Sequence, residues 1–226
     1  MDIAVIGLAG RFPQANNVDQ FFEKLCELYA AARPFSQQRR SCTSLPIERE
    51  YLQLALMEDV DKLDYAFFNI SKSEAEQMDP RQRILLETVY HTLEDAGYCT
   101  GEIWNSDTSI FVGDVRLDYY HHADQYNSLL HIGNMNGVVA GRIARNFNLR
   151  GKAVMVDTAC SSSLVGITQA CDDLILRNAN LALAAGININ LFPNENNDGL
   201  VDIAAPDGRA KTFAAEANGT GGGEAS

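Results

Sequence analysis

The stretch Val156-Asp157-Thr158-Ala159-Cys160-Ser161-Ser162-Ser163-Leu164 decides how this chain is read. An apolar run, Ala153 to Asp157, leads into it, and a helical pattern follows from about Cys160 to Arg177. This predicts a buried strand, a tight turn and a helix that begins on the cysteine. A thiol at such a place lies beside unpaired backbone N–H groups and the positive end of the helix dipole, which favour the nucleophilic thiolate. The same N–H groups can stabilise the oxyanion that forms when sulfur attacks a carbonyl. The arrangement suits acyl transfer. A plainer reading stands beside it: most cysteines are small core residues, and serines 161 to 163 can simply cap the helix. The serines form no G-x-S-x-G elbow, which argues against a serine hydrolase.

Outward from this stretch, strands alternate with helices. Residues 2–7 are a short apolar, β-branched run and read as a buried strand. Asn17 caps the next helix, with Gln20 as its capping-box partner. Val18, Phe21, Phe22, Leu25, Leu28 and Tyr29 recur at helical spacing, and Pro34 ends the pattern near Arg33. Residues 34–50 are polar and irregular, a surface loop with Arg39 and Arg40 in its middle.

Asp79-Pro80 is a helix start, aspartate as cap and proline at the first helical position. Ile84, Leu85, Val89, Thr92, Leu93 and Ala96 form its buried stripe, and Gly97 its stop. Further strands are expected over 108–113 and 181–190, with a helix over 138–147. The pattern predicts an α/β fold with a largely parallel central sheet.

Composition narrows the function. The chain has 226 residues, 46% hydrophobic and 21% charged, with a net charge of −12. A nucleic-acid ligand needs a basic face, which this balance argues against. No apolar stretch approaches the ~20 residues of a membrane-spanning helix. The start lacks the basic segment of a secretory signal, so a cytoplasmic protein is expected.

The five cysteines (Cys26, Cys42, Cys99, Cys160, Cys171) include no C-x-x-C pair. Free thiols in a reducing compartment are expected, and no metal site. Cys26 and Cys171 lie in apolar helical patterns and read as core; Cys42 and Cys99 read as loop residues. The glycine-rich stretch Asn218 to Glu224 is not a phosphate-binding loop, since no Gly-Lys-Ser/Thr follows. It reads as a free-hanging tail or as a segment interrupted inside a domain. No nucleotide cofactor is expected.

The run from Asp157 to Leu164 resembles the active-site signature of the ketosynthase domains of modular polyketide synthases, the β-ketoacyl synthase family. Other blocks are similar in the same order. They are Ile3 to Gly7 with Gly10-Arg11-Phe12-Pro13, Glu58 to Asp64 with Phe67 to Ser71, and Met78-Asp79-Pro80-Arg81-Gln82-Arg83. Leu93 to Tyr98, Asp207-Gly208-Arg209, Lys211-Thr212-Phe213 and Gly219 to Glu224 complete the series. Departures are Gly137 and Gly141, where many members have serine and asparagine, and a single tryptophan, Trp104, outside the usual block.

The resemblance implies a thiolase-like fold, with residues 1–226 as the N-terminal half of a layered αβαβα architecture. It implies Cys160 as the catalytic nucleophile. That cysteine takes an acyl chain from the phosphopantetheine arm of an acyl carrier protein, for decarboxylative condensation with a malonyl-type extender. It implies a homodimer. It also implies two histidines in a second, C-terminal half; His91, His121, His122 and His131 lie in no family histidine motif. Residues 1–226 are therefore expected to be inactive in condensation alone and to expose a wide apolar face, including the strand from Leu181. A non-catalytic docking or scaffold element of an assembly line is the alternative. A thiolase-type acyltransferase fits the signature less well.

Overall fold

The computed structural model describes residues 2–37, 39–40, 51, 53–114, 119–122, 127–191, 203–205 and 207–226. The chain divides into two compact units: residues 1–10, 59–188 and 226 form one, and residues 11–58 and 189–225 the other.

The first unit is built on a three-stranded parallel sheet. Strand β2 (Thr108–Gly113) lies at its centre between β3 (Ala153–Val156) and β4 (Leu181–Gly186). Six residues of β2 pair with β4, and every residue of β2 is buried, as expected of a parallel strand covered on both faces. Helix α7 (Ser162–Ile175) crosses the sheet on the side to which Phe111 and Gly113 point. Helix α6 (Val138–Asn146) packs on β2 and β3 and also on α3 (Pro80–Asp95).

Helix α3 follows the sequence rules closely. The Asp79 carboxylate accepts from the Arg81 N–H at 2.8 Å, Pro80 is the first helical residue, and Gly97 stops the helix at φ +80°. Ile84, Leu85, Val89 and Leu93 are buried, and each contributes about 1.5–3 kcal/mol. Its first turn is buried as well, which the apolar pattern does not predict. Charge pairing makes that possible: Arg81 meets Asp79 at 3.1 Å and Asp114 at 3.9 Å, and Arg83 donates to the Met78 carbonyl.

Three expectations need correction in this unit. Residues 2–7 form no strand. Val5 is 85% exposed, and a cavity of about 380 Å³ lies between this segment, α3, α7 and β4. A strand requires a hydrogen-bonded neighbour, and among the described residues this segment has no ladder partner. Strand β4 ends at Gly186, four residues before Asn190. In β3 only Val156 is buried.

The second unit contains α1 (Val18–Cys26) and a two-residue parallel pairing of β1 (Leu54–Ala55) with β5 (Gly222–Gly223). Asn17 caps α1 through the Gln20 N–H, as expected. The helix stops at Cys26, well short of Arg33, because Leu28 turns into the left-handed region at φ +56°. No side chain of α1 is buried: Phe22 and Leu25 are exposed, and Cys26 is exposed where a core position was expected.

The surface-loop reading fails at Arg39, which is 9% exposed and pairs with the fully buried Glu224. The glycine segment therefore does not hang free. Glu224 also accepts the N–H groups of Met57 and Asn190, both at 2.8 Å. Burial raises the Glu224 carboxyl above its ordinary range, opposed by the Arg39 charge and the two N–H donors. Cys42 and residues 41–50 lie outside the described residues. Among the described residues, no helix is long and apolar enough to cross a membrane, and no group of side chains is placed to hold a metal ion.

Candidate active site

Strand β3 ends at Val156, and the chain reverses through Asp157, Thr158 and Ala159 before α7 begins at Ser162. Cys160 is a free, exposed thiol in that turn, two residues ahead of the helix that sequence periodicity starts on it. The difference comes from Ala159. It takes φ +56°, a conformation no helix residue adopts, so the helix cannot open until the chain has left the turn. Cys160 still stands at the amino end of α7, where unpaired N–H groups and the helix dipole create positive potential.

The turn is held by its own polar groups. The Asp157 carboxylate accepts the Ala159 N–H at 3.2 Å. The Ser162 hydroxyl accepts the Thr158 N–H at 2.9 Å and donates to the Ala159 carbonyl at 2.7 Å. The Ser161 hydroxyl donates to the Thr158 carbonyl at 2.8 Å. The capping role open to these serines in the sequence is not the one that Ser161 and Ser162 take: both bond back into the turn.

Two glycines set how closely the helix start approaches the sheet. Gly113 ends β2 and Gly186 ends β4. A Cβ on Gly113 would lie 2.6 Å from the Ser163 nitrogen and 2.7 Å from the Ser162 carbonyl carbon. A Cβ on Gly186 would lie 2.8 Å from the Ser163 Cβ. The carboxyl ends of both strands thus form a floor without side chains under the first turn of α7.

The far end of α7 is pinned differently. Asp173, buried in the helix, accepts from the Ser109 hydroxyl at 2.6 Å, from the Asn178 amide at 3.1 Å and from the Lys152 ammonium. Burial would raise its carboxyl; the bonds from Lys152, Ser109 and Asn178 outweigh that and hold it below the ordinary carboxylate range. Sequence reading passed over Asp173 and the two glycines, and took Ser162 only as a helix cap. A signal existed for each: an acidic residue inside an apolar helical stripe, a hydroxyl two positions after the cysteine, and glycine closing two different strands.

The histidines lie elsewhere. His91 is exposed on α3 and bonds Glu94 at 3.0 Å. His121 and His122 occupy a 3-10 turn, Tyr119–His122, and His131 lies in the short helix α5 (Ser128–Gly133). Of the remaining thiols, Cys99 is exposed as expected, and Cys171 is half-buried on the wall of the apolar cavity.

Comparison with known proteins now bears on this turn. The family model described as "Beta-ketoacyl synthase, N-terminal domain" matches residues 1–226. Polyketide synthase PksM of Bacillus subtilis is 36% identical over 99% of this chain. Polyketide synthase GfsE of Streptomyces halstedii is 38% identical over 98% of it. The chain spans only 5% and 6% of the lengths of those two relatives. Among solved structures, a ketosynthase from module 6 of the bacillaene synthase of Bacillus subtilis superposes with a TM-score of 0.85 at 32% identity. Ketosynthase twelve from the bacillaene polyketide synthase of Bacillus amyloliquefaciens gives 0.84 at 28%. Each covers 98% of this chain, which spans 38% and 41% of theirs. The parallel sheet, its flanking helices and these likenesses together make residues 1–226 an α/β, thiolase-like half-domain, and the chain belongs to the β-ketoacyl synthase family as its N-terminal domain.

Proposed function

We propose that residues 1–226 carry the acyl-accepting part of a β-ketoacyl synthase site, with Cys160 as the nucleophile. The observation that supports this most is an exposed free thiol on a strand-to-helix turn, at the amino end of α7, within the sequence Asp157 to Leu164. The Cys160 thiolate attacks the carbonyl carbon of an acyl thioester. The carbonyl oxygen becomes an oxyanion, which helix-start N–H groups stabilise. Collapse of this intermediate breaks the bond to the donor sulfur, and the donor leaves as a thiolate that takes up a proton from water. The acyl chain is then a thioester of Cys160.

The donor is an acyl carrier protein, whose phosphopantetheine arm is partner and substrate rather than a resident group. Condensation with a malonyl-type extender requires a second half that supplies histidines. The complete site functions as a homodimer in the cytoplasm. Exposed Leu164 and Ile175 on α7, with Leu176 just past its end, suit contact with that second half.

The test is intact-mass analysis of residues 1–226 incubated with an acyl-pantetheine thioester. One acyl group is expected on the wild type and none on Cys160→Ala. Equal labelling of the two would refute the assignment.

A further inference from the structure

The hydroxyl of Ser162 touches no group that reacts, yet it spans the turn that presents Cys160. We propose that Ser162 is a positioning residue for acyl transfer, which fixes the Cys160 sulfur relative to the N–H groups that receive the oxyanion. The proposal rests on Cys160 as the nucleophile.

Three observations carry it. First, the turn needs holding. Ala159 at φ +56° costs about 1–2 kcal/mol relative to an ordinary conformation, and alanine has no polar side chain with which to offset that. Second, Ser162 holds both sides of this strained residue. It accepts from the Thr158 N–H before it, and the Ala159 carbonyl after it receives both the Ser162 hydroxyl at 2.7 Å and the Ser162 N–H at 3.1 Å. Only a group that donates and accepts at once can do this, which a hydroxyl does and a methyl does not. Third, the hydroxyl is rigidly mounted. Ser162 is 4% exposed, begins α7, and its carbonyl carbon lies against Gly113. Ser161, by contrast, is exposed, and water can replace its bonds to Thr158.

A positioning role separates two reactions of one thiol. Attack on a thioester needs sulfur and oxyanion donors in register; alkylation by iodoacetamide forms no oxyanion and needs only an accessible sulfur. In Ser162→Ala, acylation of Cys160 by acyl-pantetheine is expected to fall at least tenfold, while its alkylation stays within twofold of wild type. Ser162→Thr keeps the hydroxyl and should restore acylation to within about threefold. Ser161→Ala should cost less than threefold. The alkylation rates of Cys26 and Cys99, both exposed, serve as internal references.

Acylation of Ser162→Ala at the wild-type rate overturns the inference alone. Acylation and alkylation falling together also overturns it, since that marks a general loss of structure. A wild type that cannot be acylated at all overturns the proposed function and this inference with it.

Discussion

The two ends of helix α7 are secured by opposite means. At the Cys160 end the fastening is local: two serine hydroxyls and the exposed Asp157 carboxylate bond into a strained turn, over a floor of glycine backbone. At the other end it is ionic, a buried aspartate gripped by a lysine, a serine and an asparagine. The contrast follows from what each end must tolerate. A buried carboxylate beside Cys160 would oppose both a thiolate and the oxyanion formed in acyl transfer; Asp157 there is exposed and screened by water, and Asp173 lies eleven helical positions beyond Ser162, at ~1.5 Å per residue. The buried ion pair stands at one end of the helix and the exposed thiol at the other.

The most disruptive way to break this comparison is Gly113→Ala. The new Cβ meets backbone atoms of Ser162 and Ser163 that no side-chain rotation can move, so α7 must shift. A loss of about 3 kcal/mol, the upper part of the overpacking range, is expected by urea unfolding. Acylation of Cys160 should fall with it.

Asp173→Ala comes next and strikes the ionic end. It removes the acceptor of three bonds, while Lys152, half exposed, can turn to water, so about 2 kcal/mol is expected. The wild type should lose this contribution as pH falls. The Asp173 carboxyl lies below its ordinary 3.8 in the folded chain, so it stabilises above that value and the effect disappears as acid protonates it. In Asp173→Asn the acid side of the stability profile should be flatter below about pH 4; an unchanged slope would remove the ionic end from the comparison.

Ala159→Gly is the mildest. It relieves the left-handed strain but loosens the unfolded chain, so stability should change by less than about 1 kcal/mol. Calorimetry showing a larger loss would mean that the turn depends on the alanine methyl.

Much of this was legible in the chain itself. The limits of α3 followed from Asp79, Pro80 and Gly97, and β2 from Thr108 to Gly113 was read to the residue, because these signals are local. The family was also legible, and so was the setting of Cys160, since a cysteine between a strand and a helix leaves a short motif. What sequence could not place was everything decided by distant partners. Arg39 reads as a loop cation until Glu224 arrives to bury it. Residues 2–7 have the composition of a strand, but a strand is a pairing, and composition does not say whether the neighbour is present. At the site, periodicity started α7 two residues early, because a positive φ at alanine has no compositional signal.

The bond between Arg39 and Glu224 also has a consequence in time. Residues 11–58 leave the ribosome before the 59–188 stretch, and their partners, 189–225, follow only after all of it. At ~5–20 residues per second that interval is on the order of ten seconds, long compared with the folding of many small domains. Throughout it Arg39 lacks Glu224, and β1 has no β5 to pair with. The 59–188 stretch that carries Cys160 is therefore made in full while residues 11–58 still wait.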